Sequence, residues 1–288
     1  MSVWVAGEAL IDLFGTASDE KAIVGGGAAN TAKSLSRLGV STSFIGCISK
    51  DKFGESIINE LENVDLSLIH RSALPTALAR VSLGLDGAPK YEFQIDNTAT
   101  FNFTKDWLPI SKPDALHIGS LATVIEPGAG ELFEWAKSLG TKVIYDPNVR
   151  PSVIADKDKY RRAVKKWIEI ATIVKISDED MKWLECGQVD DYLELGPSLV
   201  VLTHGASGIT GYKADGEVSV PGLRIELVDT VGAGDTVGAV LVEGLIRHGL
   251  ETLVTEKLLE VLTRAARAAA ITCSRAGANP PSAKELEL

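Results

Sequence analysis

The sequence predicts an α/β fold, a predominantly parallel central sheet flanked by helices with a small β-sheet lid. Three observations carry that reading. From Asp114 to Gly211 short apolar runs alternate with amphipathic stretches, as repeated βα units do. The first run, Val3-Trp4-Val5-Ala6, is short, apolar and β-rich, which suits a buried strand of a parallel sheet. Between Ala77 and Ile95 the pattern changes. Val81, Leu83 and Leu85 alternate, Asp86-Gly87 turns, and Tyr91, Phe93 and Ile95 alternate back, as in an antiparallel ribbon.

The whole chain sets bounds on partners. Its 288 residues can bury a large core as one big α/β domain or as one domain plus a small appendage, and 45% hydrophobic with 24% charged residues is ordinary for a soluble globular protein. A formal charge of −10 argues against nucleic acid or an anionic membrane surface as the main partner. Any anion must then be held by local amides, a few cations and a metal. Cys47, Cys186 and Cys273 are widely spaced and lack metal-ligand spacing, so they read as core thiols in a reducing cytoplasm. No signal-peptide pattern opens the chain, and the apolar segment Val261 to Cys273 carries Arg264 and Arg267 and is too short to span a bilayer.

Taken in order, the first strand leads into Leu10-Ile11-Asp12-Leu13-Phe14, whose lone acid either points off an exposed face or reaches into a polar site. Gly25-Gly26-Gly27-Ala28-Ala29-Asn30 opens a helix with Ala29, Ala32, Leu35 and Leu38 on one side. Three glycines suggest close backbone approach to something small; a dinucleotide fingerprint would need glycine at position 30, where Asn30 suits polyol hydroxyls better. A strand over Ser43–Ile48 and a helix over Gly54–Val64 precede the ribbon. A two-stranded ribbon is unstable alone, and the Asp12 region is its natural partner. Residues 1–10, 24–74 and 99–288 therefore read as the α/β domain, and 11–23 and 75–98 as the lid. Such a lid could cover a site or offer its outer face to a second copy in a homodimer. The βα units place strands at Ala115–Ile118, Lys142–Tyr145, Thr172–Ile176 and Leu199–Leu202, with helices at Gly128–Leu139, Tyr160–Ile170, Asp178–Leu184 and Asp191–Leu195. A hairpin (Thr210–Lys213, Glu217–Val220), a short strand over Arg224–Val228, a helix ending at Arg247-His248-Gly249 and a last helix over Thr255–Cys273 complete the pattern.

The strands end in Gly119-Ser120, Asp146-Pro147-Asn148, Ser177-Asp178 and Thr203-His204-Gly205, which converge on one sheet edge, where open α/β sheets bind ligands. The stretch Asp229-Thr230-Val231-Gly232-Ala233-Gly234-Asp235 ends in a loop-to-helix turn with small residues. Its unpaired amides and helix dipole make an anion site. Asp235 in that turn would repel a resting phosphate, but it suits a reaction in which a hydroxyl loses its proton beside a phosphoryl group. The dipole is expected to keep it ionised. The plainer alternative is an acid at a helix start. Arg150 could meet a phosphate or sugar hydroxyls, or simply pair with Asp146 at the surface. Ser177 suits an N-cap, while Asp180 could instead orient water on magnesium. Thr203, Gly205 and Gly208 could cradle nucleotide phosphates or form a turn. The P-loop, G-x-S-x-G and H-E-x-x-H patterns are missing.

In order and spacing, the glycine run with Asn30, Asp146-Pro147-Asn148-Val149-Arg150 and Asp229-Thr230-Val231-Gly232-Ala233-Gly234-Asp235 resemble the ribokinase-like (PfkB) carbohydrate kinases over nearly the whole chain. Gly7-Glu8-Ala9-Leu10-Ile11-Asp12 and Ile95-Asp96-Asn97-Thr98-Ala99 look most like bacterial fructokinases; the 2-keto-3-deoxygluconate kinases share part of that pattern. The resemblance implies ATP-dependent phosphorylation of a ketohexose, fructose first, at a primary hydroxyl. A ketodeoxygluconate or nucleoside kinase and a silent sugar or nucleotide sensor are the alternatives. It implies Asp235 as the base, with the amides of Gly232, Ala233 and Gly234 as the anion hole. Asp12, Gly26, Gly27, Asn30 and Arg150 would hold the sugar; Thr203, Gly205, Gly208 and Asn148 would line the ATP site. Mg²⁺ would sit near Asp180 through water, and a potassium-type ion beside Asp229, Val231, Arg275 and Gly277. One departure is visible: the family's N-x-x-E near magnesium stands here as Ser177-x-x-Asp180, one methylene shorter at the acid.

Overall fold

The computed structural model describes residues 2–15, 20–83, 89–185 and 187–287. The Asp86-Gly87 turn, Leu85, Cys186 and the side chains of Val81, Leu83 and Tyr91 lie outside what is described. The strands are β1 (Val3–Ala6), β2 (Leu10–Phe14), β3 (Lys21–Gly25), β4 (Thr42–Ile45), β5 (Cys47–Ser49), β6 (His70–Ser72), β7 (Leu78–Leu83), β8 (Pro89–Gln94), β9 (Ala115–Gly119), β10 (Lys142–Asp146), β11 (Ile173–Ser177), β12 (Leu199–Thr203), β13 (Gly208–Lys213) and β14 (Gly216–Pro221). The helices are α1 (Gly27–Arg37), α2 (Lys52–Glu60), α3 (Gly128–Leu139), α4 (Lys157–Ile168), α5 (Asp178–Leu184), α6 (Val189–Glu194), α7 (Ala233–His248) and α8 (Leu250–Thr252). A π turn (Leu253–Lys257) then leads into α9 (Leu258–Cys273), and α10 (Ala283–Glu287) closes the described chain.

Eight strands form the central sheet in the order β14-β13-β12-β11-β10-β9-β1-β4, parallel from β12 to β4. At the other end, β13 pairs antiparallel with both β12 and the edge strand β14. Both faces are covered, and the strands alternate between them. Val3, Val5, Ala115, Ile144, Ile173 and Leu199 pack under α1, α7 and α9. Trp4, Ala6, Leu116, Ile118, Val143, Tyr145 and Val174 pack against α3 and α4. In α7 the buried Val237, Val240, Leu241 and Leu245 recur at helical spacing; each such side chain contributes roughly 1.5–3 kcal/mol of burial. The helix packs against both α1 and α9, which fixes where its first turn lies.

A second sheet of four strands has the order β3-β2-β7-β8. The Asp12 strand does partner the ribbon: β2 pairs β3 antiparallel and β7 in parallel, with Asp12 opposite Ile23 and Ala79. Three expectations need correction. Arg224–Val228 is not a strand, because β14 ends at Pro221 and the chain leaves the sheet edge there with Leu223, Ile225, Leu227 and Val228 exposed. Period-two alternation without a neighbouring strand to pair with makes no sheet. The Ser43–Ile48 strand breaks at Gly46, where a Cβ would come within 2.5 Å of the Phe44 ring, and β5 turns away to pair with β6. Helix α2 starts two residues early, because Asp51 caps it by accepting the Gly54 amide at 2.8 Å.

Candidate active site

Helix α1 starts with no side-chain cap of its own. Gly26 has φ +108, and a Cβ there would lie 2.5 Å from the Glu8 carbonyl oxygen, so the chain can cross itself only at glycine. The Glu8 carboxylate takes over the capping. Its Oε1 accepts the Gly27 amide at 3.0 Å and its Oε2 the Ala122 amide at 3.1 Å. Burial pushes this carboxyl up to about 7 against those bonds. One turn into α1, Asn30 Nδ2 donates to Asp235 Oδ2 at 2.8 Å. That bond joins the glycine run to the first turn of α7 across 205 residues of sequence.

Helix α7 opens at Gly232, which has φ +79 and no room for a Cβ beside Ala278. The Ala233 amide makes a long bond to the Thr230 carbonyl at 3.3 Å. The Gly232 and Gly234 amides have no backbone partner among the described residues. Asp235, third in the helix, is buried, and burial first, then Asp146, pushes its carboxyl up to about 6 against Asn30, Lys175 and Arg150. The expected lowering by the helix dipole is therefore outweighed by desolvation. The carboxylate still prevails at neutral pH.

Beneath this turn lies a buried ion pair. Lys175 Nζ donates to Asp146 Oδ2 at 2.7 Å, with both side chains almost fully buried. Burial pulls the Lys175 ammonium down, but Asp146 outweighs it and holds it above the usual lysine range. A Cβ on Gly234 would stand 3.0 Å from Lys175 Nζ, so glycine lets the helix tip settle onto the ammonium. Asp146 thus pairs with Lys175 and not, as the surface reading had it, with Arg150. The Arg150 guanidinium folds back on the carbonyls of Asn148 and Val149 at 3.2 and 3.1 Å, and the Tyr160 hydroxyl accepts the Arg150 amide. Ser177 caps α5 by accepting the Asp180 amide, and Asp180 Oδ1 accepts the Val149 amide at 3.1 Å. Asp180 therefore steadies the Asn148–Arg150 loop, and burial raises its carboxyl.

Asp12 lies over Gly25, where a Cβ would meet its Oδ2 at 2.3 Å. Burial raises its carboxyl, and the Arg150 charge opposes the rise. A small cavity joins Gly27, Ser120, Asn148, Asp146, His117 and Asp235. Asp235, Asn30, Gly27 and Asn148 are thereby brought together, whereas Asp12 and Arg150 do not line that cavity. Thr203, Gly205 and Gly208 are not joined to that group by any hydrogen bond among the described residues. They sit at the β12–β13 turn, where a Cβ on Gly208 would strike the Val220 carbonyl at 2.1 Å. Asp229 forms a third junction, accepting the Val231 amide at 3.0 Å and the Gly277 amide at 2.8 Å; Arg275, two residues before Gly277, pairs with Glu285. Three buried polar residues of the site escaped the sequence reading: Glu8, His117 and Lys175. The signal for the last two was a single polar residue inside an otherwise apolar strand, Ala115-Leu116-His117-Ile118 and Ile173-Val174-Lys175-Ile176.

A parallel sheet covered on both faces, a separate four-stranded sheet, and a carboxylate in the first turn of a glycine-opened helix define the ribokinase-like class of kinases. The chain belongs to the pfkB family of carbohydrate kinases, whose model matches residues 2–285. It is thus a phosphotransferase acting on a sugar hydroxyl. It is 38% identical over 263 residues to a fructokinase of Rhizobium leguminosarum bv. trifolii, covering 85% of this chain and 80% of that one. Fructokinase-2 of Zea mays is 31% identical over 277 residues, covering 89% and 81%. Among solved structures, a fructokinase from Xylella fastidiosa with bound ATP shares the fold at a TM-score of 0.90 and 24% identity, covering 99% and 97%. A double mutant of Vibrio cholerae fructokinase, bound to fructose, ADP and potassium, superposes at 0.83 with 25% identity over 96% and 93%.

Proposed function

We propose that this chain transfers the γ-phosphoryl group of ATP to the primary hydroxyl of a furanose-form ketohexose, converting fructose to fructose 6-phosphate. The observation that carries the reading is the 2.8 Å bond from Asn30 to Asp235, which holds a buried carboxylate against the glycine run, its other oxygen without a hydrogen-bond partner among the described residues and so open to an acceptor hydroxyl. The Rhizobium and maize relatives, named for fructose, support the choice of sugar. Arg80, the lid cation that a sugar acid would want, is engaged by Glu20 at 2.9 Å, which favours a neutral acceptor. Phe101, a possible wall for a nucleoside base, is packed into the core with Leu10, Ala77 and Leu121.

Phosphoryl transfer through a loose transition state asks for alignment and charge stabilisation more than for a strong base. Asp235 receives the hydroxyl proton late, and the amides of Gly232, Ala233 and Gly234 face the charge on the moving group. Each oriented donor is worth about 3 kcal/mol, as in measured oxyanion holes. Asp12, Gly26, Gly27, Asn30 and Arg150 hold the sugar, while Thr203, Gly205, Gly208 and Asn148 line the ATP side. The four-stranded sheet acts as a lid that keeps water from the phosphoryl group, and its outer face serves a homodimer. No cluster of three metal-ligating side chains exists among the described residues, so Mg²⁺ would be held chiefly by the nucleotide phosphates and water, with Asp180 nearby. It would neutralise phosphate charge. The Asp229 carboxylate, tying the Val231 and Gly277 loops together near Arg275, fits a potassium site built mostly from carbonyls. The free thiol of buried Cys47 suits a reducing cytoplasm.

The test is a coupled ADP-release screen over fructose, ribose, ketodeoxygluconate, tagatose 6-phosphate and adenosine, with and without K⁺. Fructose is expected to give the highest kcat/KM; a clear preference for another acceptor rejects the assignment. A second expectation concerns pH. The base must be unprotonated, and burial pushes Asp235 up to about 6, so kcat/KM is expected to fall about tenfold per pH unit below that value and to level off above it. The limb should persist in Glu8→Gln, which removes the other buried carboxyl, the one that burial pushes up to about 7.

A further inference from the structure

The sheet face under α7 is apolar along the row Val5, Ile144, Ile173 and Leu199, except that β9 sets His117 between Val5 and Ile144. His117 is 3% exposed, and neither ring nitrogen has a protein partner among the described residues. Asp146 Oδ1 is likewise unpartnered, since Lys175 engages only Oδ2. Leaving two buried polar groups unpaired is costly, and native interiors rarely do it. Both groups line the small cavity that also reaches Asp235, Asn148 and Gly27. Its volume of about 10 Å³ is room for about one water, and a buried water needs two to four polar partners. Gly238, one turn below Asp235 on α7, comes so close that a Cβ there would lie 3.0 Å from His117 Nε2. The imidazole therefore also sets how near that part of the helix approaches the sheet.

We propose that His117 is a positioning residue for phosphoryl transfer: with Asp146 Oδ1 it holds a single water in the cavity below Asp235, and that water fixes the base. Burial pushes the imidazole down to about 4, so at neutral pH the ring is uncharged, with one nitrogen donating and the other accepting. The water takes a hydrogen bond from the ring and gives its own two hydrogens to Asp146 Oδ1 and to Asp235. Asn30 and the water then anchor the carboxylate from two directions, leaving a lone pair for the sugar hydroxyl. The inference rests on the sugar-kinase reading above.

The test compares the wild-type chain with His117→Phe, which fills the space without polar atoms, and His117→Gln, which keeps a donor and an acceptor. With the best acceptor from the screen, His117→Phe is expected to lower kcat at least about tenfold, with KM for sugar and ATP within about twofold. The acid limb should also move to higher pH, because the carboxylate loses a donor. The groups that face Asp235, namely Asn30 on α1, Asp146 on β10, Arg150 in the loop after β10 and Lys175 on β11, are unchanged. His117→Gln is expected to recover most of the loss. Wild-type kcat with an unmoved limb in His117→Phe, or equal losses in both variants, overturns the proposal. A crystal structure of the wild-type chain decides the point independently of folding in the variants. It is expected to hold an ordered water bonded to His117, Asp146 and Asp235; a dry cavity, or a sugar hydroxyl in that place, overturns it. Wild-type inactivity on every acceptor would defeat the kinase reading, and with it the positioning role, even with the water present.

Discussion

Asp235→Asn is expected to lower kcat at least about a hundredfold while leaving ATP affinity within about twofold of wild type. The substitution keeps the shape of the side chain, and its amide oxygen can still accept from Asn30, so the first turn of α7 has no reason to move. What disappears is the ability to take a proton. The fold should not suffer, because the carboxylate is buried and pushed up to about 6, which means its charged form is already disfavoured where it stands. A variant with an unchanged or raised Tm and a collapsed kcat is therefore the expected pair of results. Turnover near the wild-type rate would reject the base assignment; a fall in Tm with proportional loss of activity would reduce the residue to a structural role.

The largest expected effect on stability comes from Asp146→Ala. Lys175 and Asp146 are both nearly withdrawn from water, and their 2.7 Å contact is the ammonium's one ion pair among the described residues. Removing the acid strips the buried ammonium beneath Gly234 of its hydrogen-bonded partner and leaves only the fields of Asp235 and Asp180 to oppose it, at a cost of about 3–5 kcal/mol. Urea unfolding should show this as a lower midpoint with an unchanged slope. The double variant Asp146→Leu with Lys175→Met is expected to recover much of the stability, because an apolar pair of similar volume replaces two desolvated ions. It should not recover activity, since the cation under the anion hole is gone. An Asp146→Ala protein as stable as the wild type would contradict the burial and pairing described above.

These residues also mark how far the sequence could be read. The βα alternation, the glycine opening of α1, the loop-to-helix turn before Asp235 and the union of the Asp12 strand with the ribbon follow from periodicity and turn chemistry, which are local. The strand over Arg224–Val228 failed for a non-local reason: alternation was present but no neighbour was. Lys175 and His117 each stand inside an apolar strand, and periodicity alone treats such a residue as an interruption. Only the register that sets Asp146 beside Lys175, and the glycines of α7 that lie over Lys175 and His117, turn two interruptions into a polar floor. Asp235 was legible as a residue but not in its titration, because the helix dipole can be inferred from a pattern whereas desolvation depends on everything packed around the group.

The central claim is that the Asp235 carboxylate faces the acceptor hydroxyl across the space bounded by the glycine run, Asn30 and the lid. It is tested most directly by a crystal structure of the chain with fructose and a non-hydrolysable ATP analogue. The account predicts the sugar's primary hydroxyl about 3 Å from an Asp235 oxygen and in line with the γ-phosphorus. A bound sugar whose primary hydroxyl points away from Asp235, with another side chain in its place, would contradict it.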